Sequence, residues 1–343
     1  MGLSYDAEMD PHTTASNDIP LWLAGYQALT AGCGLADVSS RSRVELTGAD
    51  RVQFLHSFCT NDIKRLAPGE GCEAFLTNHQ GKTVGHVIVR ILAEAIVLYT
   101  APGQAARIIE HLNRFVISDR VEFRDLTPIT GELLLAGASS HLTLTSVSVP
   151  SLPANLYGHG RFLVAGIDVC LQRVDFAGEP SYFLTTAAED FAAVRNALLN
   201  AGAISCEPTA VDAARIETGT PLFGTDITEE NLPQEIGRNQ QAISFTKGCY
   251  LGQETVARID AMGHVNRLLV GVMFTSSDVP AAGTELFVAE KPVGKVTSAC
   301  WSPRLDAPLA FALLRRAQAA PGTLLQCAIG PGEVTSLPLA ASS

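Results

Sequence analysis

The hydrophobic pattern of the chain changes near Arg267, and this change constrains the fold more than any other feature. Beyond it, the apolar residues fall in short runs over residues 268–274, 285–288 and 292–298, separated by Pro-Ala-Ala-Gly and Ser-Pro turns. Short runs divided by such turns are typical of a small antiparallel β-barrel. The chain has 343 residues, so we expect two or three domains, with the barrel at the C-terminal end.

Before Arg267, the apolar spacing switches between the helical and the strand period. Helices are predicted for residues 52–58, 104–116, 188–201 and 211–217, and strands for residues 95–100, 121–124, 161–168 and 182–186. Residues 73–77 and 83–90 flank Asn78-His79-Gln80-Gly81, a turn that predicts a β-hairpin. Residues 139–160 are rich in Ser, Thr, Pro and Gly, and their pattern leaves the structure open. Helices and hairpins mixed in this order predict an α+β fold.

Composition and charge exclude several classes of protein. Hydrophobic residues make up 47% and charged residues 17% of the chain, which is ordinary globular usage. The formal net charge of −11 disfavours a nucleic-acid partner, because the surface repels phosphates. No apolar run is long enough to cross a bilayer. The first twenty residues lack a basic region and an apolar stretch, so we expect a cytoplasmic protein that does not act at a membrane.

Metal and disulfide chemistry have no sequence signature here. The eight cysteines are Cys33, Cys59, Cys72, Cys170, Cys206, Cys249, Cys300 and Cys327. None forms a C-x-x-C pair, so we expect reduced thiols. The eight histidines are not spaced as a ligand cluster, and neither H-E-x-x-H nor a phosphate-binding G-x-x-x-x-G-K-[ST] loop occurs. No resident metal site is predicted.

The segment from Lys247 to Glu254, with the sequence K-G-C-Y-L-G-Q-E, holds the densest set of reactive side chains. Two interpretations are open. In the first, Gly248 and Gly252 let the backbone approach a ligand, and Lys247 lowers the pKa of the Cys249 thiol. In the second, Cys249 is a small buried residue in a tight turn before a helix over residues 254–258. Spacing alone favours the second, because free cysteines are usually buried.

A second candidate segment is R-I-E-T-G-T-P-L-F-G-T-D-I, from Arg215 to Ile227. Glu217 stands where a helix runs into a glycine-rich loop. Its carboxylate can accept two parallel N–H groups from a planar heterocycle. The simpler interpretation is an ion pair between Glu217 and Arg215.

The segment from Lys247 to Glu254 resembles the K-G-C-Y-x-G-Q-E signature of the YgfZ-type folate-binding proteins, which belong to the superfamily of the glycine-cleavage T-protein, an aminomethyltransferase. Further landmarks of the family follow in the usual order, and the resemblance covers about residues 35–320. These are G-A-D-R at residues 48–51, T-N-D-I at 60–63, Q-G-K at 80–82, G-K-V-T-S at 294–298 and S-P at 302–303.

The resemblance implies a folate-binding body of two or three α+β modules around a channel, followed by a small C-terminal β-barrel. The corresponding division is an N-terminal extension with the first helix at residues 1–34, the folate-binding region at 35–270 and the barrel at 271–343. Tetrahydrofolate or a derivative is the expected cofactor. The resemblance makes Glu217 the residue that holds the pterin ring and Arg258 a candidate for the folate carboxylates.

The same resemblance makes Cys249 the functional thiol, with Lys247, Gly248, Gly252, Gln253 and Glu254 shaping its loop. YgfZ-type proteins are linked to folate-dependent assembly or repair of iron–sulfur clusters. Because a cluster needs about four ligands, the others would come from a partner or a second copy. Iron–sulfur assembly or client proteins are therefore the expected partners.

One departure distinguishes this chain from the aminomethyltransferases, which carry an acidic pair a few residues after a Gln-Gly-Gly turn. Here Gln80-Gly81-Lys82 leads to Gly85-His86, so a fixed carboxylate is missing at that point. Losing one preorganised charge of this kind commonly costs about 2.7–4 kcal/mol of transition-state stabilisation. We therefore expect a folate-binding protein of iron–sulfur cluster maturation. A folate-dependent one-carbon transferase and a non-catalytic folate sensor or scaffold are the alternatives.

Overall fold

The computed structural model describes residues 20–339, and its elements alternate between helices and strands up to the barrel. The α-helices are α1 Leu21–Thr30, α2 Arg51–His56, α3 Ala105–Asn113, α4 Ser140–Ser146, α5 Phe191–Asn200, α6 Pro208–Glu217, α7 Asn239–Ala242 and α8 Gln253–Met262. The strands before the barrel are β1 Gly34–Asp37, β2 Arg41–Thr47, β3 Gly71–Thr77, β4 Thr83–Ile91, β5 Ala95–Pro102, β6 Glu122–Asp125, β7 Thr130–Ala136, β8 His159–Val164, β9 Ile167–Val174, β10 Ser181–Ala187 and β11 Ile204–Ser205.

The first module is a five-stranded antiparallel sheet in the order β3-β4-β5-β2-β6. Strands β3 and β4 form the hairpin predicted from the sequence. Its turn is held by Asn78, whose Oδ1 accepts hydrogen bonds from the N–H groups of Gln80 and Lys82 at 2.9 and 3.0 Å. Gly81 takes a φ of +75°, which favours glycine. Helices α2 and α3 cover one face of this sheet and close its apolar core.

The second module is a six-stranded sheet in the order β11-β1-β7-β10-β9-β8, antiparallel except between β1 and β11. Helices α4 and α5 pack on one face, and α1 and α6 pack on the other. The single strand predicted over residues 161–168 is wrong, because the chain reverses at Ala165-Gly166 and forms the hairpin β8–β9. Part of the open segment 139–160 forms α4, and its last residues begin β8.

The C-terminal module is a closed antiparallel barrel, as predicted. Its strands are β12 Arg267–Phe274, β13 Glu285–Val288, β14 Lys291–Ser302, β15 Ala307–Arg315, β16 Leu324–Cys327 and β17 Gly330–Thr335. They follow the order β12-β15-β14-β13-β16-β17, and β17 pairs with β12 to close the cylinder. The boundary expected between residues 270 and 271 lies inside β12. The protein therefore has the α+β architecture of two sheet modules and a barrel.

Direct contacts join the three modules. The two sheets meet through their inner faces, where the Arg90 guanidinium donates a hydrogen bond to Gln172 Oε1 at 3.2 Å. The barrel docks through Asp226, whose carboxylate accepts hydrogen bonds from the hydroxyls of Thr297 and Ser298 at 2.7 and 2.6 Å. No helix between residues 20 and 339 is long and apolar enough to span a membrane.

Candidate functional site

The thiol loop, defined here as residues 244–252, is fixed to the first module from both ends. Ser244 N–H donates to the Thr60 carbonyl at 2.9 Å, and Leu251 N–H donates to the Ser57 carbonyl at 2.9 Å. The Thr77 hydroxyl donates to the carbonyl of Leu251 at 2.6 Å. Because the loop contributes only backbone groups to these three hydrogen bonds, they do not depend on its exposed side chains.

Lys247 and Cys249 point to different environments. The Lys247 ammonium is buried and donates hydrogen bonds to the carbonyls of His56, Cys59 and Asn61 at 2.5, 2.6 and 3.0 Å. Burial lowers the pKa of Lys247, whereas the nearby Cys59 raises it. The charge of Lys247 therefore acts on Cys59. No hydrogen bond joins the Lys247 ammonium to the Cys249 thiol between residues 20 and 339.

Cys249 is exposed, whereas the other seven cysteines are buried or half-buried, and all eight are free thiols. A buried cysteine in a tight turn, the second interpretation of this segment, is therefore wrong. Of the other loop residues, Gln253 is half-buried at the start of α8, and Glu254 and Arg258 are exposed on that helix. An open thiol on a firmly anchored loop can meet a large partner.

His56 is a neighbour of this loop that sequence reasoning missed. Its Nε2 lies 3.9 Å from the point where a Cβ on Gly248 would sit. Its Nδ1 lies 3.4 Å from Asp62 Oδ1 and has no hydrogen-bond partner. Burial and the Lys247 charge lower the pKa of His56, so the imidazole is neutral at pH 7. His56 and Gly248 are far apart in the sequence, and the docking of the thiol loop on α2 brings them together.

Glu217 lies elsewhere, at the junction of α6, α1 and the barrel. Its Oε2 accepts a hydrogen bond from the Tyr26 hydroxyl at 2.6 Å, and its Oε1 accepts one from the Ser302 hydroxyl. The residue is 1% exposed. The ion pair with Arg215 is wrong: Arg215 instead pairs with Asp212 and Asp226 at 2.6 and 3.1 Å.

A carboxylate is present beside His86, although the sequence around His86 carries none. Glu73 comes from the neighbouring strand β3, and its Oε1 lies 2.6 Å from His86 Nε2. The same carboxylate pairs with the Arg238 guanidinium and accepts a hydrogen bond from the Tyr157 hydroxyl at 2.8 Å. Arg238 also pairs with Asp175 at 2.9 Å. Glu73 is thus largely neutralised by Arg238.

A cavity of about 270 Å³ lies between α6, the segment joining β1 to β2, and Phe176. Its lining is mostly apolar and includes Val38, Pro102, Phe176, Val211 and Leu222. The polar groups that line it are Asp37, Ser40, Arg41, Asp212 and Arg215.

A mostly apolar cavity with a few polar groups is typical of a small-molecule site. Glu217 points away from the cavity, because it is two residues beyond Arg215 and so about 200° further round α6. Arg258, Lys247 and Cys249 are also outside the lining. The expected site residues therefore lie in two places, with Glu217 at the junction with the barrel and the others on the thiol loop and α8. None of them lines the cavity, and the cavity residue Arg41 was not predicted.

Comparisons with known proteins agree with this architecture. Residues 6–247 match the GCVT N-terminal domain family, and residues 267–339 match the glycine cleavage T-protein C-terminal barrel domain family. The chain belongs to the glycine cleavage T-protein family, a folate-dependent family whose cofactor is tetrahydrofolate.

Individual relatives are distant. A putative chloroplastic transferase of Arabidopsis thaliana is 29% identical over 79% of this chain, and the match spans 62% of that protein's length. An aminomethyltransferase of Halalkalibacterium halodurans is 27% identical over 87% of this chain and 83% of its own. The crystal structure of the glycine cleavage system aminomethyltransferase T of Bartonella henselae has a TM-score of 0.84 at 23% identity, covering 94% of this chain and 90% of that one. This last likeness shows the fold.

Proposed function

We propose that this chain is a YgfZ-type folate-binding protein that acts in the assembly or repair of iron–sulfur clusters in the cytoplasm. The observation that carries the proposal is the exposure of Cys249 on the anchored thiol loop. Thiolates are the ligands that iron–sulfur clusters prefer. Of the eight thiols, Cys249 is the one open to a partner.

A partner is part of the proposal, because one thiol does not hold a cluster. Between residues 20 and 339, no group of three or more His, Cys, Asp or Glu side chains is arranged to hold a metal ion. A cluster is therefore cargo for this protein, and its remaining ligands belong to an assembly protein, a client or a second copy. Phe245, four residues before Cys249 in the same loop, is exposed and offers such a partner an apolar contact.

The 270 Å³ cavity is the proposed folate site. Its volume is just below the range for small-molecule pockets, about 300–1,000 Å³, so it encloses one ring system and leaves the rest of a folate outside. The cavity offers apolar walls for a flat ring and the Arg41 guanidinium for an oxygen acceptor. The roles assigned to Glu217 and Arg258 by resemblance require their side chains to reach the ligand from outside this cavity.

Complementation in cells that lack the protein tests the thiol. We expect Cys249→Ser to accumulate normally and to leave the activity of iron–sulfur enzymes unrestored. The matched control is Cys327→Ser, the same replacement at a half-buried barrel thiol, which should restore activity. Full restoration by Cys249→Ser would remove the thiol from the mechanism. Mass spectrometry of the purified protein for a bound reduced folate tests the cofactor independently.

A tetrahydrofolate-dependent aminomethyltransferase or one-carbon transferase is the second candidate. It is favoured by the curated aminomethyltransferase relatives and by Glu73, which brings a carboxylate to His86. The Arg238 pair opposes it, because the ion pair offsets the negative charge that would stabilise a cationic reaction centre. An assay with tetrahydrofolate and an aminomethyl-lipoyl donor decides: we expect no turnover, and T-protein-like turnover would establish the second candidate.

A further inference from the structure

A further cavity, here called the α8 cavity, has a volume of about 230 Å³ and lies where α8 meets the barrel. It is lined by the last turn of α8, the residues that lead into β12, the first residue after β15 and residues on either side of the start of α7. Ile259, Val265 and Leu268 form its apolar wall. The α8 cavity shares no lining residue with the 270 Å³ cavity, and neither Glu217 nor Cys249 lines it. It therefore lies outside the sites described above.

Two amide groups present buried acceptors in the α8 cavity. Gln234 Oε1 and Asn239 Oδ1 have no hydrogen-bond partner among residues 20–339. Gln234 is 5% exposed, and its Nε2 donates to the Val256 carbonyl at 2.7 Å. This bond fixes the orientation of the amide, because the reversed amide would set two acceptors against each other. Unpaired buried acceptors are costly, so the cavity favours a ligand that carries N–H donors.

Charged groups of both signs line the same cavity. Asp260 is exposed on the last turn of α8, which ends at Met262. The C-terminal end of a helix carries a partial negative charge, so this carboxylate and the helix end both favour a cation. Arg316 supplies the opposite charge. Its Nη1 donates to the Gly263 carbonyl at 3.3 Å, and a guanidinium has several further N–H donors for an anionic group.

The structure assigns the α8 cavity to a small α-amino acid with an aliphatic side chain. The ammonium group of such a ligand carries N–H donors for the Gln234 and Asn239 oxygens and a charge for the Asp260 carboxylate. The ligand carboxylate suits the Arg316 guanidinium, and the side chain suits the apolar wall. The volume of about 230 Å³ is below the range of about 300–1,000 Å³ for drug-sized ligands, as expected for a smaller molecule.

Other small ligands use fewer of these groups. The oxygens of Gln234, Asn239 and Asp260 are of the type that Ca²⁺ prefers, but the apolar wall offers no further ligand and the Arg316 charge repels a metal ion. A free anion such as phosphate would meet the Asp260 charge. Because the proposed folate site lies in the other cavity, the amino acid site does not depend on the proposed function.

Calorimetry with the full-length protein tests the site with L-leucine, N-acetyl-L-leucine, L-leucinamide and calcium chloride. We expect L-leucine to bind saturably. N-acetyl-L-leucine, which lacks the ammonium, and L-leucinamide, which lacks the carboxylate, should bind about 10- to 100-fold more weakly, the range for losing a charged hydrogen-bond partner. Because this comparison uses the unchanged protein, it holds even if a variant fails to fold.

Variants at exposed positions provide the second arm of the test. Asp260→Asn and Arg316→Met should each weaken L-leucine by a similar factor. The matched controls, Asp278→Asn and Arg124→Met, make the same changes at exposed positions outside the cavity lining and should not alter binding.

Three outcomes would overturn the inference. The first is the absence of saturable binding at about 10 mM L-leucine, a concentration that largely fills even a millimolar site. The second is equal affinity for L-leucine and its N-acetyl derivative, or binding of calcium in place of L-leucine. The third is displacement of L-leucine by tetrahydrofolate, which would make the cavity part of the folate site. Folate binding without leucine binding would overturn this inference alone and leave the proposed function standing.

Discussion

Glu73 and Arg41 are buried charges whose neighbours compensate them to different extents. The Glu73 carboxylate contacts His86, Arg238 and Tyr157, so its negative charge is fully hydrogen-bonded. Arg41 stacks on two rings and has only a distant carboxylate. By this contrast, the charge of Glu73 is paired in the native state, whereas Arg41 keeps an Nε donor without a hydrogen-bond partner.

Glu73→Gln should lower the free energy of unfolding by about 3 kcal/mol, because it leaves a buried guanidinium with one partner fewer. Burial raises the Glu73 pKa, but the His86 hydrogen bond and the charges of His86 and Arg238 outweigh it and lower the pKa to about 2. A depressed pKa in the folded state gives stability above the ordinary value of 4.5, and this stability is lost as the pH falls toward 2.

Urea unfolding at several pH values measures this effect. The difference between the native protein and Glu73→Gln should be constant above about pH 5 and shrink below it. Glu94→Gln, at an exposed turn position of the same module, is the control. A difference under about 0.5 kcal/mol, the usual range for surface changes, would contradict the structural role.

Cys249 should react with an alkylating reagent at least about tenfold faster than any other thiol, because buried thiols are inert. Burial raises the pKa of Cys59 to about 11 and that of Cys300 to about 12, which keeps both protonated at neutral pH. Peptide mass spectrometry after brief treatment at pH 7 reports the order of labelling. Faster labelling of any other cysteine would show that the loop conceals its thiol in solution.

At the scale of elements, the sequence predicted the helices and hairpins whose apolar spacing and turn residues lie close together in the chain. The β3–β4 hairpin has turn residues and alternating strands that identify it within twenty residues. The β8–β9 hairpin was missed because its turn, Ala165-Gly166, interrupts one apolar run without a cluster of turn residues. Helix α4 was left open because its Ser and Thr residues are poor helix formers. Its burial against the second sheet overrides that propensity.

The thiol loop depends on a close approach to the β3–β4 turn. Gly252 has a φ of +82°, and a Cβ there would sit 2.4 Å from the Asn78 carbonyl oxygen. Gly263 has a φ of +73° with no atom within 4 Å of such a Cβ. Both Gly→Ala changes meet backbone strain of about 1–2 kcal/mol, but only Gly252→Ala adds a clash.

We therefore expect Gly252→Ala to destabilise the protein by about 1–3 kcal/mol more than Gly263→Ala, the typical cost of overpacking. Thermal unfolding gives the difference. Hydrogen exchange of the Leu251 amide, which donates to Ser57, shows whether the loop detaches. Equal losses in the two variants would mean that the loop does not rest on the turn.

At the scale of the whole molecule, the sequence identified the superfamily but not which residues meet. The sequence singled out the segment that contains Cys249, but it did not reveal that carbonyls of residues 56–61 in the first module bind the Lys247 ammonium. Arg41 belongs to no local motif, because its ring contacts are with Phe183 on β10 and Phe176 in the loop between β9 and β10. Such contacts span more than a hundred residues of chain, and no local pattern encodes them.

Glu217 separates a role in assembly from a role in binding. Its carboxylate accepts hydrogen bonds from Tyr26 on α1 and from Ser302 on the barrel, so it joins three parts of the molecule. Glu217→Gln removes the charge from these contacts and should lower the free energy of unfolding by about 1–3 kcal/mol. Where the 270 Å³ cavity holds the folate, the affinity for folate should stay unchanged, because Glu217 is outside the lining of that cavity.

Paired measurements of unfolding and of folate binding on the same preparation test this assignment. The control is Glu207→Gln, at the exposed start of the same helix, where the side chain makes no capping hydrogen bond. This variant should behave like the native protein in both measurements. A Glu217→Gln protein of native stability with weakened folate binding would return Glu217 to the ligand site, as the family resemblance implies. In that case the Tyr26 and Ser302 contacts would have to open when folate binds.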